Sequence, residues 1–143
     1  MPGLPPVNEK LDLALGLSLQ SADDDVVVMR LDPGEIGIVG EGDEAYLHGG
    51  ALASCIDSAA WYAAEGAAPS EPSEGRGDWL VTTLSFEGLR LARPEPHTVT
   101  ARCVRAGRTR AVADVEIAPE ADPDRLVTIG RVSLARAPSP PRA

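Results

Sequence analysis

In this 143-residue chain the residues best placed to do chemistry lie in one stretch, Leu47 to Tyr62, LHGGALASCIDSAAWY. Asp57 is the one charged residue of an otherwise nearly all-apolar segment, Ala51 to Ala64. An ionised carboxylate costs free energy to bury, so an acid kept in such surroundings has a reason to be there. Nine residues upstream, His48-Gly49-Gly50 falls where a helix would start. Two glycines let backbone N–H groups approach a ligand closely, and the first N–H groups of a helix lack intrahelical acceptors. The stretch therefore offers a donor pocket and a carboxylate. Two plainer readings stand beside this one: a tight helix start at the glycines, and an Asp57 held structurally by hydroxyls such as Ser54 or Ser58.

A helix over this stretch has two faces at 100° per residue. Leu52, Cys55, Ile56, Ala59 and Ala63 form an apolar stripe, while Ser54, Asp57 and Trp61 cluster on another face. Ala51, Ala53, Ala59, Ala60, Ala63 and Ala64 let a sheet approach closely all round, so the helix must be wrapped by other structure. Strands supply the wrapping. Val26 to Leu31 is β-branched and stopped by Asp32-Pro33-Gly34; later runs cover Trp79 to Leu91, His97 to Val104, Arg110 to Ile117 and Leu126 to Leu134. In the third of these, Ala111, Ala113, Val115 and Ile117 face one way and Arg110, Asp114 and Glu116 the other. Lys10 to Leu19 fits strand or helix, and Glu35 to Tyr46 reads mostly as loop. The expectation is an α+β fold, an antiparallel sheet wrapped on one central helix. Residues 1–8, with three of the 13 prolines, read as a flexible arm; 9–136 as the domain; 137–143, APSPPRA, as a flexible tail. Glu65 to Asp78 reads as a flexible loop.

Composition narrows the function. A net charge of −9, from 13 basic and 22 acidic residues, argues against a nucleic-acid surface. No apolar run nears the roughly 18–20 residues needed to span a bilayer, so no membrane insertion is expected. The N-terminus lacks a basic region followed by an apolar one, and a cytoplasmic protein is the default. Cys55 and Cys103 match neither a metal spacing nor a disulfide framework, and no metal site is expected.

The order of elements, with HGGALASCID from His48 to Asp57, resembles the hotdog-fold acyl-CoA thioesterases of the phenylacetate-degradation (PaaI-like) type. Leu89 to Arg93, LRLAR, resembles the family's Leu-Arg-Pro-Ala-Arg segment; Gly107-Arg108 resembles its hairpin and Thr128-Ile129-Gly130 its final strand. The resemblance implies that the Gly49 N–H polarises the thioester oxygen and that Asp57 acts as general base on water or as nucleophile. It implies further that the acid and the glycine serving one site come from different subunits, hence a homodimer or a dimer of dimers. His48 orients the loop or contacts the thioester region; Gly50 borders the same donor pocket. Thr82 or Thr83 would position water, and Trp61 would wall the acyl pocket or desolvate Asp57. The substrate the resemblance implies is an acyl-CoA with a small or aromatic acyl group, with coenzyme A as part of the substrate and no separate cofactor.

Arg90, Arg93, Arg102, Arg105, Arg108 and Arg110 put six of the 13 basic residues into 21 positions against one acid, Glu95. That concentration suits the phosphates of coenzyme A, with Arg90 and Arg93 the first candidates; solvated strand faces and ion pairs between subunits are the alternative. The sequence also departs from the family pattern. Gly42 stands where many relatives carry Asn, Leu91 where they carry Pro, and the polar residue of the first long strand falls at Val81 or, one place along, at Thr82. Gly42 favours a second reading, a non-catalytic acyl-CoA-binding hotdog protein acting as sensor or scaffold.

Overall fold

A computed structural model describes residues 9–67 and 79–136; the arm at 1–8, the tail at 137–143 and most of the loop after the helix lie outside them. A short helix α1 (Glu9–Leu15) precedes strands β1 (Leu17–Asp23) and β2 (Val26–Leu31). Two short strands, β3 (Ile38–Val39) and β4 (Tyr46–Leu47), lead into the helix α2 (Gly49–Ala67). Strands β5 (Trp79–Gly88), β6 (His97–Ala106), β7 (Arg110–Pro119) and β8 (Thr128–Arg136) complete the chain.

The segment that fitted strand or helix contains both. Gly16 separates α1 from β1 with φ +82°, and a Cβ there would lie 1.8 Å from the Asp32 carbonyl oxygen, so only glycine permits the corner.

One antiparallel sheet runs β1-β2-β6-β7-β8-β5, with α2 packed across one face against strands of the whole sheet. Alternation selects the face: Ala111, Ala113, Val115 and Ile117 of β7 are buried under the helix, while Glu116 is exposed. Cys55, Ile56, Ala59, Ala60, Ala63 and Ala64 are fully buried, so the alanine-rich helix lets the sheet close around it. This is the expected hotdog arrangement. The first long strand ends at Gly88, three residues early, because Leu89 and Arg90 bend to give their N–H groups to the Val127 carbonyl. A register shift between Val81 and Thr83 bulges β5 at Thr82, so the strand itself contains the one-place ambiguity seen in the sequence.

Candidate functional site

Short β structure delivers the helix start. Ile38 pairs with Leu47 and Val39 with Tyr46, and the His48 N–H donates to the Gly37 carbonyl at 2.8 Å. The segment after β5 braces it from the other side. Leu47 N–H donates to the Ala92 carbonyl at 2.8 Å, and Arg93 donates to the carbonyls of Asp43 and Ala45 at 3.1 and 3.2 Å. The guanidinium singled out for phosphate thus also anchors the turn before the helix. It borders a concavity of about 250 Å3 shared with Arg125 and Glu95.

The first N–H groups of α2 are divided unequally. Gly50 N–H donates to Nδ1 of the His48 ring at 2.8 Å, which puts the proton of the neutral imidazole on Nε2. Ala51 and Leu52 donate to the His48 carbonyl at 3.0 and 3.2 Å. Gly49 N–H has no acceptor among the described residues; the residue is exposed, and the Cζ of Phe86 would lie 3.9 Å from a Cβ there. His48 acts as a side-chain cap; a Cβ on Gly50 would lie 2.9 Å from the same Nδ1, so glycine there makes room for the ring. The sequence pointed to one donor at Gly49, and the histidine's bonds leave that donor unpaired.

Asp57 is half-buried two turns along and accepts no hydrogen bond from the described residues. The hydroxyls that could have made it structural are engaged elsewhere. Ser54 donates to the Gly50 carbonyl at 2.9 Å, and Ser58 donates to Oδ1 of Asp12 at 2.9 Å. Burial raises the Asp57 carboxyl above the usual range, and the charge of Asp12 adds to it. Asp12, on α1 and only 6% exposed, is the residue that sequence reasoning missed. Its signal was the one that exposed Asp57, a lone acid in an apolar run, LDLALGL. Its own carboxyl is raised by burial and partly lowered again by Ser58.

The other expected residues are dispersed. Thr82, exposed at the bulge, gives its hydroxyl to the Ser133 carbonyl at 3.1 Å, while Thr83 is exposed beside it. Trp61 is buried edge-on to Tyr62, ring centroids 5.4 Å apart. Burial pushes the Cys55 thiol up to about 12, so it stays neutral. The arginine-rich stretch does not form one patch. Arg90 and Arg93 precede β6, whereas Arg105, Arg108 and Arg110 lie around its far end, roughly 30 Å along an extended strand. Neither Asp57 nor Gly49 lines the concavity of about 360 Å3 on β5, β7 and β8, which is bordered by Glu87, Asp114, Glu116 and Arg131. No group of three metal-ligating side chains occurs among the described residues, and none of their helices is long and apolar enough to cross a membrane.

Separation along the helix constrains how the two groups work. Gly49 and Asp57 are eight residues apart, about 12 Å at 1.5 Å per residue, and rotated by about 80°. A carbonyl held at one is beyond the reach of the other within the same chain.

Comparison with known proteins gives the family and the fold. The family model described as the thioesterase superfamily matches residues 44–124, which include the glycine motif, α2 and strands β5, β6 and β7. The structure superposes on the PaaI protein of the E. coli phenylacetic acid degradation operon with TM-score 0.73 at 22% identity, covering 92% of this chain and 86% of that one. It superposes on zebra fish thioesterase superfamily member 2 with TM-score 0.72 at 22% identity, covering 96% and 88%. For AziG of S. sahachiroi the values are 0.71 and 27%, covering 86% and 92%. No curated protein sequence matches.

Proposed function

Because this chain belongs to the thioesterase superfamily, a family of thioester hydrolases, we propose that it hydrolyses the thioester of an acyl-CoA carrying a small or aromatic acyl group. Asp57 is the base or nucleophile and the Gly49 N–H the oxyanion donor. The observation that carries this reading is the occurrence on one helix of two groups without a hydrogen-bond partner among the described residues: a half-buried carboxylate and a helix-start N–H. Neither is sealed from solvent, so a ligand can take the place of water at each. One preorganised donor is worth roughly 3–4 kcal/mol at the transition state.

Because about 12 Å separates the two groups along the helix, the site is composite, with Asp57 of one protomer facing Gly49 of another. The sheet offers a means of association. β5 is an edge strand of ten residues with Leu80 58% and Phe86 37% exposed, a surface that invites a second copy. Arg90 and Arg93 are the candidates for the phosphates of coenzyme A, and Thr82 or Thr83 for the water.

Gly42 favours the second reading, an acyl-CoA binder without turnover: it is exposed, has no side chain, and a Cβ there would meet nothing within 4 Å. Coenzyme A release across a panel of small and aromatic thioesters, with Asp57→Asn and Asp57→Ala beside the wild type, separates the two. Release that disappears in both variants supports hydrolysis. Tight binding of a thioester without wild-type release supports the binder.

A further inference from the structure

Asp12 is a buried acid that the proposed chemistry does not yet use. It comes from α1, 46 residues before Ser58, and is held by the Ser58 hydroxyl at 2.9 Å. Ser58 directly follows Asp57 on α2, so the bond fixes Asp12 against the turn of helix that carries Asp57. We propose that Asp12 is a positioning residue for the chemistry at Asp57: a second carboxyl group, pinned by Ser58 against the same turn of α2, that sets an acid beside the helix acid within its own chain. The inference rests on the thioesterase reading and adds a residue to it.

Among the described residues the surroundings leave Asp12 without a competitor. On the faces turned toward α2, β2 presents Val27, Met29 and Leu31, β7 its alanines with Val115 and Ile117, and β8 Thr128, Gly130, Val132 and Leu134. None of these titrates. β6 adds His97, which burial keeps neutral, and Cys103, whose thiol burial pushes up. β1 turns Leu17 inward, and the one acid of β5, Glu87, is exposed beside the outer concavity. On α2 itself Cys55 is neutral, Glu65 is two turns away, and there is no Lys or Arg; Lys10 of α1 is exposed. Among the described residues Asp12 is therefore the charge that acts on Asp57, and burial of Asp57 is the larger cause beside it.

A carboxylate of ordinary basicity is a poor acceptor of a proton from water, and catalysis improves as its basicity approaches the working pH. A neighbouring carboxylate provides this without supplying a donor that would occupy Asp57. Once ionised, Asp12 holds the proton of Asp57 more tightly.

The test compares the wild type with Asp12→Asn and Ser58→Ala. It follows kcat/KM against pH on a hydrolysed thioester and the 13C titration of the Asp57 carboxyl, whose signal is identified by its loss in Asp57→Asn. In Asp12→Asn, which keeps an acceptor for Ser58, the acidic limb and the Asp57 midpoint both move to lower pH. The plateau kcat falls about three- to tenfold, and KM is unchanged. In Ser58→Ala, Asp12 loses the bond that favours its charge, so both quantities move the same way by less. If one variant does not fold, the other still decides. A limb and midpoint unmoved, or moved upward, in the folded variants overturn the proposal. A wild type that releases coenzyme A from no thioester defeats the thioesterase reading instead, while the carboxyl titration still reports whether Asp12 governs Asp57.

Discussion

Two aspartates on opposite sides of the sheet have opposite chemistry. Asp114, on the outer face, accepts a forked pair of hydrogen bonds from Arg131, Nε at 2.6 Å and Nη2 at 2.8 Å, and these hold its carboxyl below the usual range. Asp57, on the helix under the inner face, has no cation among the described residues, and burial with Asp12 beside it pushes its carboxyl up. The outer acid is arranged as stability requires, charge against charge in solvent. The inner acids are arranged against stability: Asp12 and Asp57 are both raised, so the folded state binds their protons more tightly than the unfolded chain does. Their cost is absent below the unfolded pKa and sets in as pH rises through the folded one. An arrangement that weakens the fold at neutral pH is retained for what it does.

The sharpest way to break the contrast is at Asp57. Asp57→Asn is expected to lower kcat/KM for thioester hydrolysis by about 10³-fold. The same change removes a buried charge, so its melting temperature at pH 7 should exceed the wild type's by a few degrees, the two converging in acid. A variant both less active and less stable at pH 7 would mark Asp57 as structural.

Gly49→Pro comes next. Proline suits the first helical position and deletes only the N–H; the glycine's backbone is not left-handed and Phe86 leaves room. Loss of about 10²–10³ in kcat with the fold intact is expected, whereas Gly49→Ala, which keeps the donor, should be nearly normal. Mixed with Asp57→Asn subunits under exchange, Gly49→Pro should regain up to about a quarter of wild-type activity, since half the dimers then contain one intact composite site. No recovery would place both groups in one chain's site. Gly50→Ala is expected to do less, displacing the His48 ring and forfeiting a cap worth about 1 kcal/mol, read as a lower melting temperature with modest loss of kcat.

What could be read from the sequence follows from range. The helix and the four later strands were legible because alternation and apolar spacing are local, and β7 alternates as Ala111 to Ile117 predicted. Asp57 and Gly49 were legible as oddities within one stretch. Asp12 was equally odd, but its segment could not be assigned until Gly16 was seen to divide it, and its partner Ser58 lies 46 residues away. The arginines show the reverse error: neighbours in sequence, they are separated by the length of β6. Arg93 was visible as a charge, while the carbonyls of Asp43 and Ala45 that it holds were not, because only the fold brings residues 50 apart together.

The smallest expected effect lies on the outer face and sharpens the comparison from the other side. Asp114→Asn removes an anion whose pair is solvent-exposed, Arg131 at 62% and Asp114 at 43% of the side chain. Exposed pairs contribute little and salt screens them, so the melting temperature at pH 7 should fall by roughly 2 °C or less. Because the folded pKa of Asp114 is depressed, its contribution is present above the unfolded value and lost as pH falls through the folded one. The variant and the wild type should therefore converge in acid, as for Asp57→Asn, but from the opposite side at neutral pH. Hydrolysis should be unchanged, since Asp114 faces away from α2. Thermal melts from pH 3 to 8 at low and high salt, alongside the thioester assay, check each part; a loss of kcat here would mean that the outer concavity takes part in the reaction.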